Sequence, residues 1–237
     1  MDTKTIESFR NLRTPFYYYD MNLLDTTLRA ASAAAARHGY ELHYALKANP
    51  NPRVVRAVAA RGIGADCVSG NEIRRAIRCG VPPRQIVYAG VGKTDREIAI
   101  ALREDILCFN CESLPELRVI GSVARRTGRV ARVALRVNPN VDAHTHRYIT
   151  TGTEENKFGF PVADLPEAIA ACRETPNVRL VGLHFHVGSQ ITDLAPFRDL
   201  CDRVNELQQS LGTTSLPYVN VGGGLGIDYR EPDTHPL

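Results

Sequence analysis

Apolar and polar positions along this chain switch repeatedly between two periods. Short runs that are continuously apolar or alternate every second residue read as strands. Longer runs with apolar residues three and four apart read as helices. Strand-like runs fall at Glu41–Lys47, Gly64–Val68, Gln85–Ala89, Ile106–Asn110, Val130–Val137, Val178–His186 and Tyr218–Val221. Helix-like runs lie between them at Pro52–Arg61, Gly70–Cys79, Asp95–Arg103, Leu114–Arg126, Leu165–Arg173 and Pro196–Leu211. Three helix starts carry an oxygen and a carboxylate at capping-box spacing: Ser69 with Glu72, Thr94 with Glu97, and Ser113 with Glu116. Before these units, Thr14 to Asp20 is aromatic and strand-like, and Asn22 to Arg37 is an Ala-rich helix stopped by Gly39.

Strand–helix alternation with short links predicts βαβ units and a parallel sheet. The Gly-rich turn Gly222-Gly223-Gly224-Leu225-Gly226 follows the last strand. A doubly wound sheet carries such a turn after its first strand. A (β/α)8 TIM-type barrel, with its phosphate site after strands 7 and 8, fits better. The pattern supplies about seven units, so the expected fold is an incomplete α/β barrel.

Side chains two apart on a strand share a face. If the larger apolar set faces the helices, Leu42, Tyr44 and Leu46 point outward and Lys47 inward. The same rule turns Arg136 and Asn138 inward on the fifth strand, His184 and His186 on the sixth, and Asn220 and Gly222 on the seventh. Asp66 closes the second strand. Lys47, Asp66, Arg136, His184, His186 and the glycine turn therefore gather at the C-terminal strand ends, where barrel enzymes do their chemistry.

Lys47 is one of only four lysines, with Lys4, Lys93 and Lys157. It ends the strand-like run Tyr44-Ala-Leu-Lys47. A lysine in a partly apolar pocket can lose its proton and act as a Schiff-base nucleophile; the plainer alternative is a strand-end lysine reaching into solvent. Consecutive glycines let backbone N–H groups approach an anion, so Gly222, Gly223 and Gly224 are candidate phosphate ligands, with Ser189 beside them. His184 and His186 form an H-x-H pair, and His144 with His146 a second. A metal reading competes with that of an imidazole stacked on an aromatic cofactor, and the cofactor reading is preferred. Asn138 to Phe160 is a long loop over the fifth strand's end, of a length that is usually functional or disordered.

Composition changes this picture little. The 237 residues are 43% hydrophobic and 23% charged, with a net charge of +3. That is an ordinary globular balance, too weakly basic to argue for nucleic acid. No apolar run reaches membrane-spanning length, and no signal-peptide core is present, so the expected setting is the cytoplasm. Six cysteines do not form a disulfide framework in a chain this long. Cys108 and Cys111 make a C-x-x-C without a second ligand pair, so they are expected to be buried thiols, and no metal is expected.

Taken together, the motifs resemble those of the fold-type III pyridoxal-phosphate decarboxylases, and within them the diaminopimelate decarboxylase branch. The matching pieces are Tyr44-Ala-Leu-Lys47-Ala-Asn, Gly64-Ala-Asp66-Cys-Val-Ser69-Gly-Asn-Glu72, Arg136-Val-Asn-Pro, Asn156-Lys157-Phe-Gly159, His184-Phe-His186-Val-Gly-Ser189-Gln190 and Gly222-Gly-Gly224-Leu-Gly226. They occur in the family's order along nearly the whole chain. The resemblance implies that Lys47 carries pyridoxal 5'-phosphate as a Schiff base and that His186 stacks on its ring. Ser189, Gly222, Gly223 and Gly224 would hold the phosphate, and Asp66, Glu72 and Arg136 would form the polar shell around the ring. The implied reaction is decarboxylation of meso-2,6-diaminopimelate to L-lysine, the closing step of lysine biosynthesis, by a homodimer. The resemblance also implies an eighth strand ending in Glu-Pro-Gly-Arg and a β-domain beyond it, neither of which occurs in these residues. The expected organisation is therefore an N-terminal segment (1–21) that would add a strand to that β-domain, then a pyridoxal-binding barrel domain (22–237) ending before strand 8, without turnover by itself. Other readings stay open: another basic amino-acid or carboxynorspermidine decarboxylase, a non-catalytic pyridoxal-phosphate-binding fragment, or a lysine Schiff-base aldolase.

Overall fold

The structure, a computed structural model, describes residues 3–139 and 158–229. The chain divides into two compact units, Met1–Tyr40 and Glu41–Leu237.

The first unit holds α1 (Thr3–Ser8), a 3-10 turn at Phe9–Asn11 and α2 (Met21–Arg37). The Asp20 carboxylate caps α2, accepting from the N–H groups of Asn22 and Leu23, each at 3.0 Å. The strand expected over Thr14–Asp20 is not formed. A strand exists only through a partner's ladder, and no described segment offers one. The aromatic side chains there pack locally instead: Phe9 meets the rings of Phe16 and Tyr18 edge-on, with centroids 5.2 and 5.0 Å away.

The second unit is a parallel sheet of seven strands in sequence order: β1 (His43–Ala45), β2 (Gly64–Cys67), β3 (Ile86–Tyr88), β4 (Cys108–Cys111), β5 (Ala131–Val137), β6 (Val178–Phe185) and β7 (Tyr218–Asn220). Between them run α3 (Pro52–Ala59), α4 (Gly70–Arg78), α5 (Asp95–Glu104), α6 (Leu114–Arg126), α7 (Leu165–Glu174) and α8 (Ala195–Ser210). Each strand pairs only with its sequence neighbours, and among the described residues β1 and β7 do not pair with each other. This is the expected incomplete barrel. No described helix is long and apolar enough to cross a membrane.

The predicted helix starts are capped, with a difference in detail. At α5, Thr94 and Glu97 exchange both bonds of a capping box. At α4 and α6 the serine accepts from the glutamate N–H as expected. There the glutamate carboxylate reaches one residue further back, to the N–H of Val68 at 2.7 Å and of Glu112 at 2.9 Å. Both contacts tie a helix start to the end of the preceding strand.

The core follows strand parity. Leu46, Cys67, Tyr88, Phe109, Leu135 and Leu183 belong to the large cluster that packs against the helices. Val87, Cys108, Ala134 and Val181 form a small inner cluster with Tyr218. On β6 the inner Val181 and outer Leu183 are two apart and should share a face. A register shift makes the difference: Val133 pairs with Leu180, and Ala134 with Gly182. The extra residue is a β-bulge, and it aims His184, rather than Leu183, at the barrel interior. Gly182 is required at this point because a Cβ would collide with the Tyr218 carbonyl oxygen on β7.

Candidate active site

Register places the polar residues in rows. Ala45, Asp66, Val87 and Cys108 pair in succession across β1 to β4. Arg136, His184 and Asn220 pair across β5 to β7. Residues paired this way point to one face, and that face is the barrel interior. Lys47, expected as the last residue of the strand, stands two residues beyond the end of β1. The Leu46 N–H bonds to the Asp66 carbonyl at 3.0 Å, then the Ala48 N–H turns back onto Ala45 at 3.1 Å. Lys47 is thus held in a turn at the mouth, exposed, with its charge acting on both Asp66 and His186. Its amine makes no hydrogen bond or ion pair with the described residues.

The other strand-end lysine behaves oppositely. Lys93 follows β3, and its side chain is 1% exposed. Its ammonium donates to the Gly90 carbonyl at 2.6 Å, the Asn110 carbonyl at 2.9 Å and Glu116 Oε1 at 2.6 Å. Those are all three donors of an ammonium, so Lys93 is spent on structure and Lys47 is the available amine.

Asp66 is half-buried, and its Oδ1 is buried with no partner among the described residues. Burial pushes its carboxyl up to about 6, with Glu72 adding to the rise and the cations Lys47, Arg136 and Lys93 opposing it. Glu72 itself accepts from the Val68 N–H through its carboxylate, so the structure shows it first as part of the α4 start. Burial also pulls the imidazoles down, helped by the Arg136 charge: His186 to about 4, and His184 well below the usual range. Both rings are therefore neutral at pH 7. Arg136 is gripped through Nη1 by both oxygens of Glu112, at 2.8 and 3.1 Å. Its guanidinium lies over the Phe158 ring, 5.1 Å from the centroid.

The glycine turn meets the loop after β6. Ile191 pairs with Leu225. The Ile191 N–H bonds to the Gly224 carbonyl at 2.9 Å, and the Gly226 N–H to the Ile191 carbonyl at 2.8 Å. Gly222 has φ +79°, and a Cβ there would stand 2.5 Å from the Phe185 carbonyl and 3.1 Å from His186 Nδ1. Gly224 has φ +101°, and a Cβ there would collide with the Gly188 carbonyl and lie 3.5 Å from the Ser189 Cα. Gly223 faces open space. His186, Ser189 and Gly222 to Gly224 are thus brought together as expected. The Gly222 N–H is taken by Asn220 Oδ1 at 2.7 Å. The N–H groups of Gly223 and Gly224 have no acceptor among the described residues and can serve an anion.

Sequence reading missed Glu112, Glu116 and Lys93. Glu112 was within reach of the parity rule, because it continues the inward set Cys108, Asn110. Lys93 lies in a loop, where parity says nothing. His144, His146 and Lys157 lie outside the described residues. The C-x-x-C thiols are both buried and point to opposite faces, because three residues on a strand is an odd offset. Burial pushes Cys108 up to about 12. Among the described residues, no group of three or more His, Cys, Asp or Glu could hold a metal ion.

An available lysine amine, an unpartnered carboxylate oxygen and a glycine turn whose N–H groups can serve an anion thus stand at the C-terminal end of the incomplete barrel, a set that could hold an aldehyde cofactor bearing a phosphate. Residues 24–236 match the family of pyridoxal-dependent decarboxylases through its pyridoxal binding domain, and the chain belongs to that family. Its relatives narrow the class. The chain is 52% identical over 231 residues to the diaminopimelate decarboxylase of Bacteroides thetaiotaomicron, covering 96% of this chain and 60% of that protein. It is 41% identical over 225 residues to the diaminopimelate decarboxylase of Aquifex aeolicus, covering 94% of this chain and 53% of that one. Among solved structures it matches diaminopimelate decarboxylase from Helicobacter pylori complexed with L-lysine, with a TM-score of 0.89 and 37% identity, over 98% of this chain and 59% of that chain. The chain thus spans between 53% and 60% of the length of these proteins.

Proposed function

We propose that the protein carrying this chain uses pyridoxal 5'-phosphate to decarboxylate meso-2,6-diaminopimelate to L-lysine. The observation that carries the reading is the 52% identity to a diaminopimelate decarboxylase, sustained over 96% of this chain. The arrangement of the mouth supports it. A homodimer, on the family resemblance, and a cytoplasmic setting are both part of the proposal.

Lys47 would supply the amine that holds the cofactor's aldehyde carbon. Ser189 and the N–H groups of Gly223 and Gly224 would hold the phosphate. His186 would present a neutral, flat ring to the pyridine, kept neutral by burial and by the Arg136 charge. Asp66 and Arg136 would face the ring from the inner sheet surface, and Glu72 would fix the loop beside Asp66. When bound, pyridoxal phosphate supplies an electron sink for the pair left on the α-carbon as CO2 departs. The Lys47 amine, exposed at the mouth, would also be placed to hold or return a proton at the reacting carbon.

The test is a substrate comparison with the protein that carries this chain. Lysine and CO2 should form from meso-diaminopimelate with a kcat/KM at least ~100-fold above that for ornithine or arginine. A preference for ornithine or arginine would overturn the assignment.

A further inference from the structure

At the barrel mouth the cations Lys93 and Arg136 and the three acids Glu116, Glu112 and Asp66 pair selectively. Lys93 is committed to Glu116 at 2.6 Å. Arg136 is committed to Glu112 at 2.8 Å, with side chains 11% and 4% exposed. Glu116 also orients Glu112, because its second oxygen accepts the Glu112 N–H at 2.9 Å. The third acid, Asp66, feels both of these cations as well as Lys47, yet its buried Oδ1 has no partner among the described residues. Two carboxylates therefore occupy the two cations that would otherwise neutralise the third.

We propose that Glu112 is a positioning residue that holds Arg136 away from Asp66, keeping the Asp66 carboxyl in reserve for the group that binds at the mouth. Glu112 suits this task. It stands at the end of β4, its backbone is fixed by Glu116, and both its oxygens face Arg136 Nη1. Phe158 closes the other side of the guanidinium. The groups acting on Asp66 are Lys47 after β1, Glu72 on α4, Lys93 before α5 and Arg136 on β5. Cys67 on β2, Cys108 on β4 and Tyr218 on β7 also sense its charge. Of these, Arg136 is the cation that a single neutral substitution at Glu112 releases.

The experiment is a carbon-detected NMR titration of the Asp66 carboxyl in cofactor-free protein, comparing wild type, Glu112→Gln and Glu112→Gln/Arg136→Gln. In the single variant Arg136 loses its acid and turns to Asp66, so the Asp66 midpoint falls from about 6 by about 1 pH unit or more. In the double variant both charges are gone, and the midpoint stays at its wild-type value or rises. Opposite directions in two variants are not expected from a loss of packing alone. The double variant leaves no uncompensated buried charge, so it remains readable if the single variant folds poorly; a midpoint that falls there also overturns the proposal. An unchanged midpoint in folded Glu112→Gln overturns it directly. The reason for the reserve rests on the cofactor reading above, but the titration does not. A protein that bound no pyridoxal phosphate would defeat that reading and leave this one standing.

Discussion

Arg132 and Arg136 sit four residues apart on β5, on the same face and nearly equally buried, with side chains 13% and 11% exposed. Their surroundings differ in kind. At the N-terminal end of the sheet, Arg132 donates to the Leu107 carbonyl at 2.7 Å, the Asp105 carbonyl at 3.2 Å and Asp105 Oδ1 at 2.8 Å, and to the Ile106 carbonyl. That guanidinium plugs a turn and is satisfied by backbone. At the C-terminal end, Arg136 is held by one side chain and one aromatic ring, and its field reaches His184, His186 and Asp66. Near it, Asp66 Oδ1, His184 Nδ1 and Asn110 Nδ2 are buried without partners among the described residues. The N-terminal end has its own unpartnered atoms, His43 Nδ1 and Gln85 Oε1, but among the described residues no available amine or glycine cradle beside them. Equal burial thus accompanies a guanidinium satisfied by a turn at one end and, at the other, one surrounded by unpartnered polar atoms.

The comparison breaks most readily at the arginines themselves. Arg136→Met leaves Glu112 buried and unpaired, at a cost of about 3–5 kcal/mol, and should weaken pyridoxal-phosphate binding by about tenfold or more. Arg132→Met leaves carbonyls short of donors, at about 1–3 kcal/mol, and should leave cofactor affinity as it was. Chemical denaturation and cofactor titration on both variants check this. Equal loss of cofactor affinity in the two would erase the distinction between the ends.

Asp66 gives the next effect. Its carboxyl sits at about 6 in the folded chain against 3.8 for an ordinary aspartate. Between those values the native state keeps a proton that the unfolded chain has lost, so stability falls as pH rises through that window. His186 works in the other direction. Its depressed value, about 4 against 6.5, lets the unfolded chain bind a proton that the native state refuses, so stability rises with pH over that range. The two slopes oppose each other. Replacing Asp66 by Asn should remove only the first. The variant's advantage over wild type should grow from near zero at pH 4 to about 3 kcal/mol at pH 7, measured by denaturation at stepped pH. A difference that does not change with pH would mean that Asp66 is not buried at the mouth.

The glycine turn gives the smallest effect and sharpens the comparison most finely. Gly223→Ala meets no atom within 4 Å, so stability should hold within about 0.5 kcal/mol, while a methyl group in the cradle should lower phosphate affinity about tenfold. Gly224→Ala must move the Gly188 carbonyl and adopt φ +101°, so it should lose stability as well. Identical behaviour of the two variants would argue that the turn is merely a flexible link.

Much of this was legible because strand parity is a rigid rule. Asp66, Arg136, His184 and His186 reach the interior from sequence alternation alone, and the seven strands fall where the periodicity puts them. The boundaries were less legible. Lys47 was read on a strand and stands in a turn, because β1 stops once Leu46 has bonded to Asp66. The parity of β6 is reset by a bulge at Val181, which no alternation pattern announces. Thr14–Asp20 has strand composition without a strand, since composition cannot supply a partner. Lys93 escaped because its role depends on three oxygens from Gly90, Asn110 and Glu116, which only the folded chain brings together.

The most direct test of the central claim is to incubate the protein with pyridoxal phosphate, reduce with borohydride and map the modified peptide. The account predicts a single pyridoxyl group on Lys47, with Lys93 unmodified because its amine is already bound by three oxygens. A pyridoxyl group on Lys93, or none on Lys47, would contradict it.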